Sequence, residues 1–456
     1  MSRLVDWTGL AAGLESAGIA WRELAEDERI AYAVDGVQPT AICWPASYEE
    51  AARALAVADR LGLAVSPRGA GTKTALGNPP RACDLIISTE RLDQVVEYAP
   101  ANLTATVQAG LRLAAFQDVL AAGGQYLPLD PPRADRATIG GIIAANASGP
   151  RRFGLGSARD LVIGTRAATT RGTVVRAGGR VVKNVAGYDL NKLYIGSLGT
   201  LVLIVEVSFK VAPRPAAQRT VVGSFPRIEA LTQAVQTIIR SPLFPAAVDL
   251  VNGPALRGYD GPPVPEPGSG FLLATLGTAP GRAVLRQRDD LVRIYQQAGA
   301  TEITDLADAD SERFWGWIAE RPARQTGPRA VLAKIAVPIA RVGEVVRAIE
   351  ERRDAFGGRP AIGGRAGSGV IYLTWDIPES DGGDEPLATT ARAIEALRET
   401  GRSLEGSLVV EECPRALKDR LDVWGPVGPS FALMRRLKEA MDPRAILNPG
   451  RFVGGI

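Results

Sequence analysis

The chain has 456 residues, of which 46% are hydrophobic and 23% charged, a composition typical of a globular protein with two or three domains. Its 53 basic and 50 acidic residues nearly cancel, so the charge balance gives no support for nucleic-acid binding. The sequence contains no histidine, which excludes serine–histidine and cysteine–histidine catalysis and a cofactor tethered through histidine. Because histidine is also the commonest transition-metal ligand, we expect no metal site.

The cysteines Cys43, Cys83 and Cys413 are far apart in the sequence. Their spacing predicts neither a disulfide framework nor an iron–sulfur cluster held by this chain, and it fits a reducing cytoplasm. The N-terminal segment is interrupted by charges and does not have the pattern of a signal peptide. The most apolar run, roughly Ile195 to Val207, is too short and too rich in glycine to span a bilayer. We expect a cytoplasmic protein that reaches the inner face of a membrane only peripherally, through partners.

Residues 1–36 are predicted to form an N-terminal helical segment, and residues 37–215 to alternate strands and helices. A strand over QPTAICWPAS precedes a helix with Ser47 as its N-cap, and the strand LAVSP leads into the loop RGAGTKTALG. Two or three strands follow, then a helix that ends at Gly123, and a small helix near Tyr188 to Leu193. The proline-rich segment VAPRP indicates a domain boundary.

From 216 to 420 the order strand, helix, strand, strand, helix, strand occurs twice. This repeated order predicts two ferredoxin-like halves side by side. Residues 421–456 are predicted to form a C-terminal helix, PSFALMRRLKEAMD, and a tail, PRAILNPGRF. The sequence therefore predicts an α+β protein.

One segment, ATIGGIIAANASG from Ala137 to Gly149, consists mostly of alanine, glycine and serine. Without bulky side chains, another backbone or a flat ligand can approach it closely. Its glycine pair can open a short helix whose first N–H groups point at an anion. A tightly packed buried turn has the same composition, so the segment alone leaves both interpretations open.

A second segment, RGAGTKT from Arg68 to Thr74, directly follows a predicted strand. Its two glycines free backbone N–H groups, its threonines add hydroxyl donors, and Arg68 and Lys73 add positive charge, all of which suit a phosphate. The Rossmann fingerprint fails because position 74 is threonine, and no Walker pattern occurs. The loop is either a phosphate site or a plain connection. Two such segments in one chain suit a dinucleotide with a central diphosphate.

Three stretches, PRGAGTKT, ATIGGIIAANASGPRRFGLGSARD and GGRVVKNVAGYDLNKLYIGSLGTLVLIVEV, together resemble the FAD-binding domain of the vanillyl-alcohol oxidase and p-cresol methylhydroxylase (PCMH) superfamily. The closing DPRAILNPGRF resembles the C-terminal segment of its lactate- and glycolate-oxidising members. Within that superfamily, GGRVVKNVAGYDLNKL is most similar to the FAD-binding subunits of bacterial glycolate oxidases. The resemblance is dense over about residues 38–215 and at 428–452, and weak over the middle domain.

The resemblance implies a two-subdomain PCMH-type FAD-binding domain over 37–215. It also implies a ferredoxin-like α+β cap over 216–420, for substrate or a subunit interface, and a short C-terminal helical segment over 421–456 that returns to the flavin domain. The implied cofactor is FAD, which we expect to be non-covalent because no cysteine matches a flavin tether. The residues implied to bind FAD are Arg68, Gly69, Ala70, Gly71, Thr72, Lys73, Thr74, Pro131, Thr138, Gly140, Gly141, Ala144, Asn146, Ser148, Gly149, Ile204, Val205, Asn448 and Arg451.

Other residues have two interpretations each. Pro131 suits a simple turn, and Asn448 with the proline and glycine after it suits a reverse turn. Lys183 and Asn184, together with Tyr188 and Asp189, suit a carboxylate substrate or a partner subunit, but we favour a hydrogen-bonded loop that braces the flavin domain. The arginine pair at 151 and 152 suits either an anion site or a solvated turn.

The resemblance implies an FAD-binding subunit of a glycolate-oxidase-like complex that oxidises a small 2-hydroxy acid such as glycolate or D-lactate. Members that perform this oxidation use histidines, which this chain lacks. We therefore expect a sister flavin subunit to carry the main substrate chemistry and an iron–sulfur subunit to take the electrons onward. One alternative is a stand-alone dehydrogenase with a tyrosine, lysine or carboxylate as base, although the sequence singles out no catalytic residue. A flavin-fold scaffold without FAD is the second alternative, and the intact glycines argue against it.

Overall fold

The computed structural model describes residues 6–180, 187–324, 327–379 and 384–456. Its first layer is a four-stranded sheet with strand order β1-β2-β4-β3. The elements are α1 (Trp7–Ser16), β1 (Ala20–Glu23), α2 (Glu26–Tyr32), β2 (Ala41–Trp44), α3 (Tyr48–Leu61), β3 (Val65–Arg68) and β4 (Leu85–Ser88). Ser47 caps α3 by accepting a hydrogen bond from the backbone N–H of Glu50, as predicted. The prediction of a wholly helical N-terminal segment is wrong at β1, because this strand is largely exposed and lacks the alternation that marks a buried strand.

The second layer is a five-stranded sheet with order β5-β6-β10-β8-β9. The elements are β5 (Val95–Ala99), β6 (Thr104–Gln108), α4 (Leu113–Ala122), β7 (Gln125–Tyr126), α5 (Ile139–Ala145), α6 (Arg152–Leu155), α7 (Ala158–Leu161), β8 (Val162–Ala168), β9 (Val174–Gly178), α8 (Asn191–Tyr194), β10 (Leu203–Lys210) and β11 (Ala212–Pro213). Gly123 ends α4 as predicted, and the small-residue segment does open a short helix, α5. The predicted helix near Tyr188 begins instead at Asn191.

The cap is one eight-stranded sheet with order β15-β12-β14-β13-β17-β18-β16-β19. Its elements are β12 (Gln218–Phe225), α9 (Ile228–Arg240), β13 (Ala247–Asn252), β14 (Phe271–Thr278), α10 (Arg282–Gln297), β15 (Glu302–Ala307), α11 (Asp308–Arg324), β16 (Ala330–Ala336), α12 (Val342–Glu351), β17 (Ala361–Arg365), β18 (Val370–Asp376), α13 (Glu385–Ser403) and β19 (Ser407–Glu412). Each half has the ferredoxin-like strand order, and β13 pairs with β17 to join them. This confirms the α+β class and the two halves. The helix α11 lies outside the predicted order of elements.

The two faces of the cap sheet differ. One face packs an apolar core against the helices of the cap, with Leu250, Ile371 and Leu373 among its fully buried residues. On the other face, α11 covers only part of the sheet, where Trp315 lies in a separate apolar cluster. The rest of that face is turned to the first two layers. Side chains alternate between the faces of a strand, so polar residues between the apolar ones point to those layers.

The C-terminal segment contains α14 (Arg415–Lys418) and α15 (Phe431–Met441) and ends against the first sheet. There the backbone N–H of Val65 donates to the carbonyl of Ile446, and the N–H of Asn448 donates to the carbonyl of Val65, both at 2.8 Å. Val65 is the first residue of β3, so the tail is held against the strand that leads into the RGAGTKT loop. The division of the chain at 36, 215 and 420 stays a prediction.

Candidate functional site

The RGAGTKT loop presents free backbone donors. The N–H groups of Gly69 to Lys73 have no hydrogen-bond partner among the described residues. Gly71 has a φ of +72°, a left-handed conformation that glycine adopts without strain. Consecutive N–H groups in such a turn form a concave binding site for an anion. The loop therefore has the donor set that a diphosphate needs.

The small-residue segment lies opposite this loop. Adding a Cβ atom to Gly141 would bring it within 3.2 Å of the Thr138 hydroxyl and within 4 Å of no other atom, so Gly141 borders open space. Gly140 has the other role that small residues serve, close packing, because its N–H donates to the carbonyl of Ala109 at 2.7 Å. The Thr138 hydroxyl is buried and has no hydrogen-bond partner in the described part of the chain. The small-residue segment therefore packs tightly at Gly140 and, at Gly141, offers a surface that a ligand can contact.

The two segments line two adjoining hollows that share Arg68, Gly69 and Gly141. The predicted residues on these hollows are Arg68, Gly69, Ala70, Gly71, Thr72, Lys73, Thr74, Thr138, Gly140, Gly141, Ala144, Ile204, Asn448 and Arg451. Residues that the sequence did not single out, such as Val34, Pro67 and Leu198, line them too. The structure therefore brings most of the predicted set together around one elongated space.

The remaining predicted residues do not line these hollows. Ser148 uses its backbone carbonyl to accept a hydrogen bond from Arg365, and Gly149 packs against Asp130 so closely that a Cβ atom there would lie 1.8 Å from the Asp130 carbonyl oxygen. Val205 is fully buried, and its carbonyl accepts from the N–H of Ala109 at 3.0 Å, so its backbone is already paired. Their roles stay predictions, as do those of Pro131, a buried residue, and Asn146, whose side-chain oxygen is buried without a partner.

Three charged residues of the predicted set have protein partners. The Arg68 guanidinium lies over the ring of Tyr32, 4.8 Å from its centre. Arg451 donates to the carbonyls of Thr74 and Leu76, so it supports the loop from behind. Lys73 is paired with a carboxylate of the cap, described below. The amides of the loop, more than its charged side chains, are therefore free for a ligand.

Lys183 and Asn184 lie outside the described residues. Tyr188 is 92% exposed, and Asp189 pairs with Lys192 at 2.9 Å, so neither side chain faces the hollows. Arg152 donates to the Ser148 hydroxyl at 3.3 Å, beside the small-residue segment.

A row of polar side chains crosses the face of the cap sheet that is turned to the two segments. Tyr372 on β18 is paired in register with Gly363 on β17 and with Lys334 on β16. Arg365 on β17 donates to the Tyr372 hydroxyl at 2.6 Å, and Glu411 lies at the far edge on β19. These side chains are mostly buried. A buried polar row on a sheet that is otherwise apolar is a candidate for chemistry.

This row is connected to both the RGAGTKT loop and the small-residue segment. Lys73 forms an ion pair with Glu411 at 2.8 Å. Arg365 donates to the carbonyl of Ser148 at 2.6 Å, at the end of the small-residue segment. A second ion pair joins Arg133 to Glu412 at 3.0 Å. The polar row therefore forms the cap side of the same site.

The charges around the row shift its pKa values. Burial by itself would raise the pKa of Tyr372, but the positive charges of Arg365 and Lys334 outweigh burial and lower it. Burial likewise opposes ionisation of Glu411, yet Lys73 and Lys334 hold its pKa at about 2. The row thus contains a carboxylate that stays ionised, Glu411, and a tyrosine that loses its proton more easily than usual, Tyr372.

Asp249 on β13 extends the row and behaves differently. It is 5% exposed, and its Oδ1 has no hydrogen-bond partner among the described residues. Burial raises its pKa to about 7, although Arg365 and Arg321 oppose the shift. A carboxyl group that titrates near neutrality suits proton transfer.

The sequence analysis missed Asp249, Lys334, Arg365, Tyr372 and Glu411. A signal was present for three of them, because AAVDLVN, VLAKIA and SLVVEEC each place one or two charged residues inside an apolar strand. A charge in such a run is costly unless it is paired or used. No three or more cysteine, aspartate and glutamate side chains converge as metal ligands in the described ranges. No helix in those ranges is long and apolar enough to cross a bilayer.

The residues of this site suit the binding of FAD. The loop amides suit the diphosphate, the open face at Gly141 admits a flat group, and the unpartnered Thr138 hydroxyl, which lines the same space, can hydrogen-bond to it. The site therefore has the features of an FAD site beneath a cap sheet, as in a flavin-dependent oxidoreductase, and the comparisons with known proteins agree. The chain matches the FAD binding domain family over residues 39–178 and the C-terminal domain of FAD linked oxidases over 214–411 and 424–452. It belongs to the family of FAD-linked oxidases.

Two relatives match along nearly the whole chain, and a third matches part of it. Glycolate oxidase subunit GlcD of Bacillus subtilis is 30% identical over 439 residues, which cover 93% of this chain and 92% of that protein. D-lactate dehydrogenase of Archaeoglobus fulgidus is 27% identical over 420 residues, 90% of each chain. Glycolate oxidase subunit GlcE of Escherichia coli is 38% identical over 182 residues, 40% of this chain and 51% of GlcE. The fold agrees with p-cresol methylhydroxylase, with a TM-score of 0.75 at 13% identity over 98% of this chain and 97% of that one.

Proposed function

We propose that the chain is an FAD-binding subunit of a glycolate-oxidase-like complex that oxidises a small 2-hydroxy acid. The convergence of the RGAGTKT loop and the small-residue segment on one space, under a polar cap, carries this proposal. It is supported by the similarity to a glycolate oxidase subunit along the chain and to a second such subunit, GlcE, at higher identity. The partners in this proposal are a sister flavin subunit and an iron–sulfur subunit. The three free cysteines fit a reducing cytoplasm, with membrane contact only through those partners.

When bound, FAD supplies the acceptor for the hydride that leaves the hydroxyl-bearing carbon. This chain's residues hold the cofactor without a covalent link: the amides of Gly69 to Lys73 bind its diphosphate, and the open face at Gly141 receives a flat group. Arg365 and Arg152 lie at the end of the small-residue segment, where their positive charges attract the carboxylate of a 2-hydroxy acid.

One observation favours a second candidate, in which this chain oxidises the hydroxy acid by itself with a base other than histidine. Tyr372 lies in the cap row, accepts a hydrogen bond from Arg365, and has a lowered pKa. As a phenolate it would accept the hydroxyl proton of the substrate, and Arg365 would stabilise that phenolate. Asp249 is the next candidate for this proton.

Anaerobic mixing of the purified, flavin-loaded chain with glycolate or D-lactate separates the two candidates. If the chain is only a binding subunit, its flavin stays oxidised alone and is reduced when the sister subunit is present. Rapid reduction of the lone chain supports the second candidate instead. A purified chain without a flavin spectrum would contradict both, and would leave the scaffold interpretation.

A further inference from the structure

We infer that Lys418 and Asp35 are positioning residues for FAD. Together with Arg451 they fix the carbonyl groups at the end of the RGAGTKT loop, so that the free amides of the loop stay aligned for the diphosphate. Neither Lys418 nor Asp35 lines the two hollows, so both act through the loop. This inference rests on the FAD-binding part of the proposed function and extends it to residues outside the cofactor's contacts.

Four consecutive backbone carbonyls follow the loop amides, and two buried cations hold all four of them. Arg451 donates to the first and third carbonyls of the segment 74–77. Lys418, on α14, donates to the second and fourth, at 2.7 and 3.0 Å. At the other end of the loop, the carbonyl of Arg68 accepts from the N–H of Thr89 at 2.9 Å. The free amides of the loop therefore lie between two fixed ends.

The ammonium of Lys418 uses all three of its N–H bonds. Its third partner is the carboxylate of Asp35, at 2.9 Å, and the side chain of Lys418 is only 1% exposed. A buried ammonium is stable only when its donors are satisfied, and this one has as many partners as donors. It cannot turn toward another group without leaving a carbonyl unpaired, so it fixes the backbone at the end of the loop.

Asp35 is held in place by its own turn and by α14. Val34 and Val37 exchange two backbone hydrogen bonds of 3.0 Å around it, and Asp35 has a φ of +50°, in the left-handed region that aspartate enters more readily than most residues. Arg415, on the same short helix as Lys418, donates to the carbonyl of Asp35 at 2.8 Å. Val34 itself lines the cofactor space. The turn therefore connects α14 to the wall of the site.

The cluster of Asp35, Lys418 and Arg451 contains two cations and one carboxylate. Asp35 lies 2.9 Å from Lys418 and 3.6 Å from Arg451, and no second carboxylate is paired with either cation in the described ranges. One positive charge therefore remains behind the loop. In a plain turn, neutral donors would satisfy the same carbonyls. The excess charge complements the negative diphosphate that the loop amides suit.

Phosphorus NMR of the flavin-loaded chain tests this positioning, because the resonances of the FAD diphosphate respond to its hydrogen bonds. The double variant Lys418→Met with Asp35→Asn removes the anchor but leaves the net charge of the cluster unchanged, and asparagine tolerates the left-handed turn. We expect its diphosphate resonances to shift, and its dissociation constant for FAD to rise at least about tenfold.

Arg359→Met is the matched control. Arg359 also combines a carboxylate partner, Glu350 at 2.8 Å, with a carbonyl partner, Gly270 at 3.3 Å, but all three residues lie in the cap, away from the loop. Its loss should lower stability and leave the phosphorus resonances and the FAD affinity as in the wild type.

The single variant Lys418→Met separates positioning from stability. It leaves Asp35 without its closer cation, so it should be less stable than the double variant, whereas both should bind FAD at least about tenfold more weakly than the wild type. FAD affinity that returns to the wild-type value in the double variant would overturn the inference, and so would wild-type phosphorus resonances there. If the single variant does not fold, the double variant and the control still decide. A wild-type chain that retains FAD but oxidises no hydroxy acid, with or without its partners, would contradict the proposed function and leave this inference standing.

Discussion

The Nζ atom of Lys73 lies 2.8 Å from the Oε2 atom of Glu411, so one ion pair joins the RGAGTKT loop to the last strand of the cap. Both side chains are mostly buried, and Lys334 lies 3.7 Å from the other carboxylate oxygen of Glu411. Because the pair is shielded from water, each charge depends on the other for its stability. The pair therefore helps to hold the cap against the loop, and it also sets the net charge beside the site. Its removal should therefore affect stability and flavin binding together.

Lys73→Met should lower the free energy of unfolding by about 3 kcal/mol, because Glu411 would stay buried after losing its closest counter-charge. Chemical denaturation measures this loss, and the double variant Lys73→Met with Glu411→Leu should recover part of it. Lys192→Met breaks the exposed pair with Asp189 and should cost less than about 1 kcal/mol. A Lys73→Met protein as stable as the wild type would contradict a structural role for the pair.

The same pair predicts a response to acid. The pKa of Glu411 is lowered from its ordinary 4.5 to about 2, so this carboxylate contributes stability above the higher value and loses it as the pH falls toward the lower one. We expect the unfolding midpoint of the wild type to fall over this range relative to Glu411→Gln. Parallel curves for the two proteins between these pH values would show that the shift is absent.

Gly141→Val should reduce flavin content while leaving the fold intact. A side chain there meets only the Thr138 hydroxyl, at 3.2 Å, so it would project into the space assigned to the cofactor. The ratio of flavin to protein absorbance after purification measures the effect. Gly316→Val is the matched control, because a Cβ atom at Gly316, on α11, meets nothing within 4 Å and lies away from the site. Full flavin content in Gly141→Val would refute the placement.

The flavin side of the site could be predicted from the sequence because its residues are local. Each of the segments 68–74 and 137–149 is continuous in the chain. Glycine is required there by the backbone conformation, as the left-handed conformation of Gly71 shows. Ferredoxin-like halves could be predicted because the order of strands and helices is also a local pattern. The helix α11 of the cap was not predicted from the sequence. It contains a glycine and a proline, which obscure its helical pattern.

The cap side of the site could not be assembled from the sequence, because its residues come from strands that are distant in the chain. Asp249, Tyr372 and Glu411 become neighbours only through the joining of β13 to β17 and the order of β18, β16 and β19. The pairing of one half with the other is set by packing between them, which no local pattern encodes. A charge inside an apolar strand was the available signal, and it marks a site without saying which segment it faces.

Tyr372→Phe tests whether this tyrosine accepts the substrate proton. The ring is kept, but the oxygen that accepts from Arg365 is lost, so flavin reduction by a 2-hydroxy acid should slow by about 10²- to 10⁴-fold with flavin content unchanged. The rise of the reduction rate with pH should also disappear, since in the wild type it follows a tyrosine pKa below its ordinary 10. Tyr259→Phe, whose hydroxyl donates to Pro262 in the cap, is the control. A rate within about twofold of the wild type would leave Asp249 as the better candidate.

Asp249→Asn should stabilise the protein at neutral and higher pH. Burial raises the pKa of Asp249 from 3.8 to about 7, so the folded state holds a proton that the unfolded chain releases. The stability linked to this proton is complete below 3.8 and is lost as the pH rises through about 7. The difference in unfolding free energy between Asp249→Asn and the wild type should thus grow from near zero in acid to about 2–4 kcal/mol above neutrality. Asp305→Asn, where the carboxylate is paired with Arg219 and Arg288, should change stability in the opposite direction. A constant difference across the range would mean that Asp249 is ionised in the folded protein, with Arg321 and Arg365 as its counter-charges.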